Sequence, residues 1–328
     1  MLCYGAAHAV HINSQKEVYH LVYETFLNTI KEGAAQALGD GYELSLRRIP
    51  KNNGLVLDGL CISKTGSPVA PAIYLNTCYE QYLRGRPMER ILGEILELYR
   101  NHETAPGLDC TNLLDFEAMK PRILLRLINR ESNASLLQNM PHIPWLDLAI
   151  VFCLCLKEDD SGLMTASIYN DHLDAWGISQ NDLWLLAMEN TPRRFPPVIT
   201  HMSCILGGIE PDGPGPMRKQ DDALLSSPLY VLTNSSGIHG AACILYPQVL
   251  KNFAEGVERD LMILPSSIHE VLLLPTEKDI SCQEMSRLVE CVNQTEVPSQ
   301  DRLSNQVYLY SREKDAILLG SSNETPLC

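Results

Sequence analysis

The stretch from Leu261 to Pro275 reads LMILPSSIHEVLLLP. Its two apolar runs flank Ser266, Ser267, His269 and Glu270, the side-chain types of a serine hydrolase. Such an enzyme needs a hydroxyl to attack, an imidazole to take its proton and a carboxylate to orient the imidazole. The spacing argues against local assembly. If a strand begins near Ser267, alternation puts Ser267, His269, Val271 and Leu273 on one face and Ile268, Glu270 and Leu272 on the other. His269 and Glu270 then point apart, and Ser267 and His269 sit roughly 7 Å apart at Cβ for a rise of about 3.4 Å per residue. The G-x-S-x-G elbow that exposes a nucleophilic serine is missing. A tight join between two strands, with serine hydroxyls satisfying backbone groups, accounts for the same residues. The chemical alternative is a hydrolase that uses Ser267 and His269 with an acid from another strand.

A second group, Asn170, Asp171 and His172, leaves the end of an expected strand. Ligand sites favour such places, but Asn and Asp are equally natural there as a turn and a helix cap. Together with Ser266 these three are the candidate binding residues. No metal site is expected. His8 and His11 share one side of a helix, yet a metal needs more ligands and a rigid frame. Cys153 and Cys155 share a strand face without a CxxC or His partner to complete a zinc site. His142, in MPHIPW, reads as a loop histidine packed beside Trp145. Neither GxxxxGK[ST] nor a GxGxxG between strand and helix occurs, so no cofactor is expected.

The elements that must hold these residues follow from periodicity. A first helix is expected over residues 14–38, with Val18, Leu21, Val22, Phe26 and Ile30 as its apolar stripe and Gly39-Asp40-Gly41 as its stop. YELSLRRI and LVLDGLCIS then form a hairpin about Asn53-Gly54, a strong two-residue turn signal. That turn would set Asp58 opposite Ile49, in diagonal reach of Arg47. APAIYLN is a third strand, and a helix follows over residues 87–101. After a linker and a short helix over residues 112–119, RILLRLIN is ambiguous between strand and helix, and RESNASLLQNM reads as helical.

The clearest hairpin pairs LDLAIVFCLCLK with LMTASIYN. Ile150, Phe152, Leu154 and Leu156 share one face of its first strand, and Ala149, Val151, Cys153 and Cys155 the other. Both faces are apolar, so this strand belongs in the centre of a sheet. NDHLDAWG reads as a short turn. Ser179 opens a helix, with Asp182 completing a capping box and Pro192 as its limit. A Gly/Pro-rich flexible loop is expected at residues 208–227. Beyond it LYVLTN, GAACILY, LMILPS, HEVLLLP, QVYLY and AILL read as strands, and PQVLKNFAEGVERD and SCQEMSRLVECVN as helices.

Composition bounds the function. The 328 residues carry 26 basic and 40 acidic side chains, a net charge of −14. Without a basic patch longer than Arg84 to Arg86, this disfavours nucleic acid. The eleven cysteines are odd in number, form no CxxC and partly sit in apolar runs, which points to a reducing cytoplasm. LAIVFCLCL, the longest uncharged apolar run, is too short to span a bilayer as a helix, and the segment before Ser14 lacks the basic residues of a signal peptide and reads as a loose tail.

Several blocks, in order, carry a resemblance: IPKNNGLVLDGLCI, APAIYLNTCYEQY, PHIPWLDLAIVF, NDHLDAWGIS with AMENTPR, and ILPSSIHEVLLLP. They resemble an uncharacterised domain-of-unknown-function family found mainly in anaerobic Gram-positive gut bacteria. The resemblance spans nearly the whole chain. The middle block is also similar to a second bacterial family of unknown function. Neither resemblance implies a catalytic residue. The segment before Ser14 and the Gly/Pro loop depart from the family pattern.

The expected fold is α+β: an N-terminal helix–three-strand–helix module over residues 14–104, then a larger region of antiparallel hairpins with packed helices over residues 111–320. The expected function is that of a cytoplasmic, non-enzymatic binding or regulatory protein. A protein partner is compatible with the sequence and unspecified by it.

Overall fold

A computed structural model of the chain describes residues 5–66, 70–103, 115–159, 162–207, 229–276 and 281–320. The fold is α+β, with helices packed on antiparallel sheets. It divides into two compact units, residues 1–51 with 56–111, and residues 52–55 with 112–328.

In the first unit, helix α1 (Gly5–Leu38) begins earlier than expected; the Ala-rich residues ahead of Ser14 are good helix formers and continue it. It ends at Gly39, whose left-handed φ of 83° ends the helix with its amide on Ala35 O at 3.0 Å. Strands β1 (Tyr42–Pro50), β2 (Val56–Lys64) and β3 (Ala72–Tyr74) form an antiparallel sheet in that order. Helices α2 (Asn76–Leu83) and α3 (Met88–Glu103) complete the unit. Phe26, Ile30 and Ala34 of α1 share its core with Leu60 and Ile62 of β2 and Ile91, Ile95 and Tyr99 of α3. A Cβ on Gly33 would come within 2.7 Å of Leu92 Cδ2, the end of a flexible side chain that would have to turn aside.

The Asn53-Gly54 turn forms, with positive φ at both residues and Leu55 N–H on Asn52 O at 3.3 Å. Its register differs from expectation. Pro50 pairs with Val56, which leaves Lys51 as an extra residue on the first strand and shifts the ladder by one. Asp58 therefore lies opposite Arg48 instead of Ile49. Its carboxylate accepts from Tyr23 Oη at 2.9 Å, and its amide donates to the Asn76 side chain at 2.9 Å. The expected diagonal pair with Arg47 is replaced by this Tyr23–Asp58–Asn76 cluster.

The second unit holds two sheets. Helix α4 (Phe116–Met119), capped by the Asp115 carboxylate, leads to β4 (Ile123–Asn129), which resolves RILLRLIN as a strand. RESNASLLQNM contains only the single turn α5 (Ala134–Leu137). His142 lies in strand β5 (His142–Trp145) and not in a loop. Strand β6 (Leu148–Asp159) is central: β4 lines one edge, and β5 and β7 (Gly162–Ser167) divide the other. Ile150, Phe152 and Leu154 enter the main core, while Ala149 and Val151, and Cys153 and Cys155, join two smaller apolar clusters.

NDHLDAWG is helical, as α6 (Asn170–Trp176), and Gly177 at φ 65° ends it. Helix α7 (Gln180–Arg194) has the expected Ser179–Asp182 capping box but runs past Pro192. Thr191 Oγ1 donates to Ala187 O at 2.6 Å and Phe195 N to Thr191 O at 2.9 Å, so the last turn stays closed around the missing proline N–H.

The other sheet runs β13-β12-β10-β11-β9-β8, antiparallel throughout. Its strands are β8 (Pro197–His201), β9 (Tyr230–Asn234), β10 (Leu261–Leu264), β11 (Val271–Pro275), β12 (Tyr308–Ser311) and β13 (Ala316–Leu319). Helices α8 (Met202–Gly207), α9 (Val249–Gly256) and α10 (Cys282–Thr295) belong to the same unit. GAACILY is a 3-10 helix (Gly240–Leu245) instead of a strand. His239 enters it at φ 55°, and Gly240 packs so tightly on Thr233, Asn234 and His269 that the chain must coil away there. The expected loop at residues 208–227 and the side chains of His8 and His11 lie outside the described residues.

Candidate functional site

Ser267 and His269 do not sit on a strand. β11 starts at Val271, and Ser267 makes an isolated bridge to Arg302. The segment ahead of β11 is held by residues 301–304: Ile268 N donates to Asp301 O at 2.8 Å, Leu303 N to Ser266 O at 3.1 Å and Ser304 N to Pro265 O at 2.9 Å. The alternation expected from Ser267 onward therefore fails, because the chain bends between Ser267 and Val271. The serine is 5% exposed. Its Oγ accepts the His269 amide at 3.0 Å, the job of a hydroxyl in a strand connection.

The His269 ring is engaged on both nitrogens. Nδ1 accepts the His239 amide at 3.3 Å, and Nε2 lies 3.5 Å from Asp301 Oδ1. An acceptor at Nδ1 leaves the ring proton on Nε2, facing the carboxylate. Asp301 is an acid from elsewhere in the chain, at the end of a 3-10 helix (Ser299–Asp301), and sequence reasoning missed it because no local pattern links that helix to His269. With Nε2 facing Asp301, the nitrogen left to accept a serine proton is Nδ1, which already accepts the His239 amide.

His239 completes this group. Its ring stacks on His269 at 5.7 Å between centroids and 15° between planes. Burial pulls its pKa down to about 3, with help from the Arg126 guanidinium and His269. Its Nδ1 is buried without a hydrogen-bond partner among the described residues, as is Arg126 Nε. Arg126 Nη2 donates to Ser167 Oγ at 2.9 Å. The local signal for His239 was the His-Gly pair ahead of a run of small residues.

Asn170, Asp171 and His172 open α6. His172 Nδ1 accepts the Tyr169 amide at 2.9 Å, and its ring packs between Tyr169 and Trp176. Asn170 N and Nδ2 bond Asn139 O at 3.0 Å and Gln138 O at 3.3 Å. Asp171 supplies negative charge to the first turn. His172 thus caps the start of α6 and Asn170 ties it to residues 138–139, and no hydrogen bond or ring contact joins these three residues to Ser267 or His269 among the described residues. Cys153 and Cys155 lie buried with Leu124 and Phe195, and burial pushes both thiols up. No group of three His, Cys, Asp or Glu side chains suited to a metal ion occurs among the described residues. None of their helices is long and apolar enough to cross a membrane.

A cavity of about 410 Å³ opens elsewhere in the same unit. Trp145 of β5, Tyr246, Gln248 and Lys251 of the α9 region, and Tyr310 and Asp315 of the β12–β13 hairpin line it. Tyr310 Oη donates to Asp315 Oδ1 at 2.5 Å, and Lys251 Nζ lies 3.5 Å from Asp315 Oδ2. The Tyr310 bond, and then Lys251, hold the Asp315 carboxyl below the usual range. Burial, followed by the Asp315 hydrogen bond, pushes the Tyr310 hydroxyl up. Trp145 meets Tyr308 edge-on at 5.9 Å, which fixes its ring. Both Gln248, at φ 66°, and Asp315, at φ 46°, are non-glycine residues in the left-handed region.

The second unit, with its four-stranded and six-stranded antiparallel sheets, thus carries both the cavity and the histidine pair. Over residues 23–312 the chain matches the family described as "Family of unknown function (DUF5688)", and it belongs to that family. No curated protein and no solved structure matches it.

Proposed function

We propose that this chain is a cytoplasmic binding or regulatory protein that does not use Ser267 and His269 for catalysis. The observation that carries the reading is the use of the His269 ring. Nδ1 takes the His239 amide and Nε2 faces Asp301, so neither nitrogen is placed to activate Ser267, whose own Oγ serves the backbone. The cavity beside Trp145 supports a binding role, since small-molecule sites are typically concavities of about 300–1,000 Å³ with aromatic walls and a few fixed polar groups. The eight described cysteines are free thiols, which suits a reducing compartment. The resemblance in the sequence blocks suggests an anaerobic Gram-positive source.

The rival reading is a hydrolase built on Ser267, His269 and Asp301. Treating the full chain with a fluorophosphonate probe and with p-nitrophenyl esters separates the two. The binding reading expects no stoichiometric label on Ser267 and equal ester turnover by the wild type and His269→Ala. Label on Ser267 that disappears in His269→Ala would establish the hydrolase instead.

A further inference from the structure

The cavity at Trp145 has a chemistry that narrows its occupant. Lys251 and Asp315 stand 3.5 Å apart across its rim, so their charges largely cancel. An anion approaching Lys251 meets the Asp315 carboxylate, and a cation approaching Asp315 meets the Lys251 ammonium. The chain as a whole, at −14, adds repulsion for anions. The same two groups still offer donors and acceptors side by side, and the Gln248 amide adds one of each. A hydroxyl group suits this pattern, because it donates to a carboxylate and accepts from an ammonium at once.

The walls add an apolar requirement. Trp145 lines the cavity and meets Tyr308 by an edge contact, whereas Tyr310 is 4% exposed and contributes through its hydroxyl's bond to Asp315. The Asp315 carboxylate is set in place before any ligand arrives. Tyr310 and Lys251 fix the Asp315 carboxylate between them, and the left-handed backbones of Gln248 and Asp315 are conformations that the surrounding structure must enforce. Fixed polar groups lower the cost of binding.

We propose that this cavity binds a neutral polyhydroxylated ring of the pyranose sugar type, with its C–H face on Trp145 and its hydroxyls shared among Gln248, Lys251 and Asp315. The proposal rests on the binding reading above and names the ligand class for its cavity.

The test titrates the full chain with glucose, galactose, N-acetylglucosamine, maltose and cellobiose, with inorganic phosphate and acetate as charged comparisons. Tryptophan emission and calorimetric heat are read together. At least one sugar should saturate both signals, with a Kd near or below about 1 mM. Asp315→Asn, which suits a left-handed turn position, and Trp145→Ala should each weaken that binding at least tenfold while circular dichroism stays native. If Trp145→Ala fails to fold, Asp315→Asn alone decides. Silence from all five sugars, binding unchanged in the folded variants, or saturation by phosphate or acetate alone overturns the proposal. Because the fluorophosphonate result is independent of these titrations, the sugar assignment can fail while the binding reading stands.

Discussion

The His239 and His269 rings stack 5.7 Å apart, and the backbone amide of the first donates to Nδ1 of the second at 3.3 Å. This places two imidazoles in one half-buried site with Arg126 acting on the first and Asp301 facing the second. A proton on His239 would add positive charge where Arg126 already supplies it.

Stability should therefore fall in acid. The folded His239 stays neutral down to about pH 3, whereas in the unfolded chain it protonates below its ordinary value of 6.5. Between these values the unfolded state binds the extra proton, so the contribution is fully present above pH 6.5 and is lost as pH falls toward 3. The slope is at most about 1.4 kcal/mol per pH unit. Urea unfolding measured from about pH 7 to about pH 4 should show this loss. His239→Asn, which keeps a residue tolerant of the left-handed backbone, should flatten the curve. An unchanged slope in that variant would mean that carboxylates elsewhere set the acid response.

Phe152→Ala should destabilise the chain by about 3–5 kcal/mol. The ring is fully buried at the centre of β6, between β4 on one edge and β5 and β7 on the other. Chemical denaturation of the variant gives the number. A loss under about 1 kcal/mol would show that this position repacks freely.

Gly240→Ala should be far costlier than its one methyl group suggests. The new Cβ would stand 2.2 Å from Thr233 Oγ1, 2.5 Å from His269 O and 2.7 Å from Asn234 N. Two of these three atoms belong to backbone, so the β9–β11 region must shift to admit it. We expect a loss of about 3 kcal/mol or failure to fold. A thermal midpoint within a few degrees of wild type would show that the 3-10 helix can move as a body.

Much of the fold was legible because local rules governed it. The two-faced apolar pattern of β6, the Ser179–Asp182 cap and the α+β order all follow from side-chain period and capping chemistry. Where the reading failed, a tertiary constraint had overruled a local one. GAACILY reads as a strand, but Gly240 is pressed against β9 and the His269 backbone, and the segment forms a 3-10 helix. Lys51 adds one residue beside a correctly read turn, and that slip redirects Asp58 to Tyr23. In the candidate site, Ser267 and His269 are neighbours in space, but the bend before β11 decides their partners. Asp301 and the cavity residues come from distant segments, and no short-range pattern connects Trp145 with Asp315.

The outer strands of the six-stranded sheet have a consequence for how the chain behaves in a crowded solution. β8 spans five residues and opens with a proline that cannot donate, while β13 spans four. Such brief borders present little exposed ladder for another polypeptide to copy, so they resist growth by strand addition. A substitution that lengthened either border, or restored a donor at Pro197, would be the natural place to look for fibre formation.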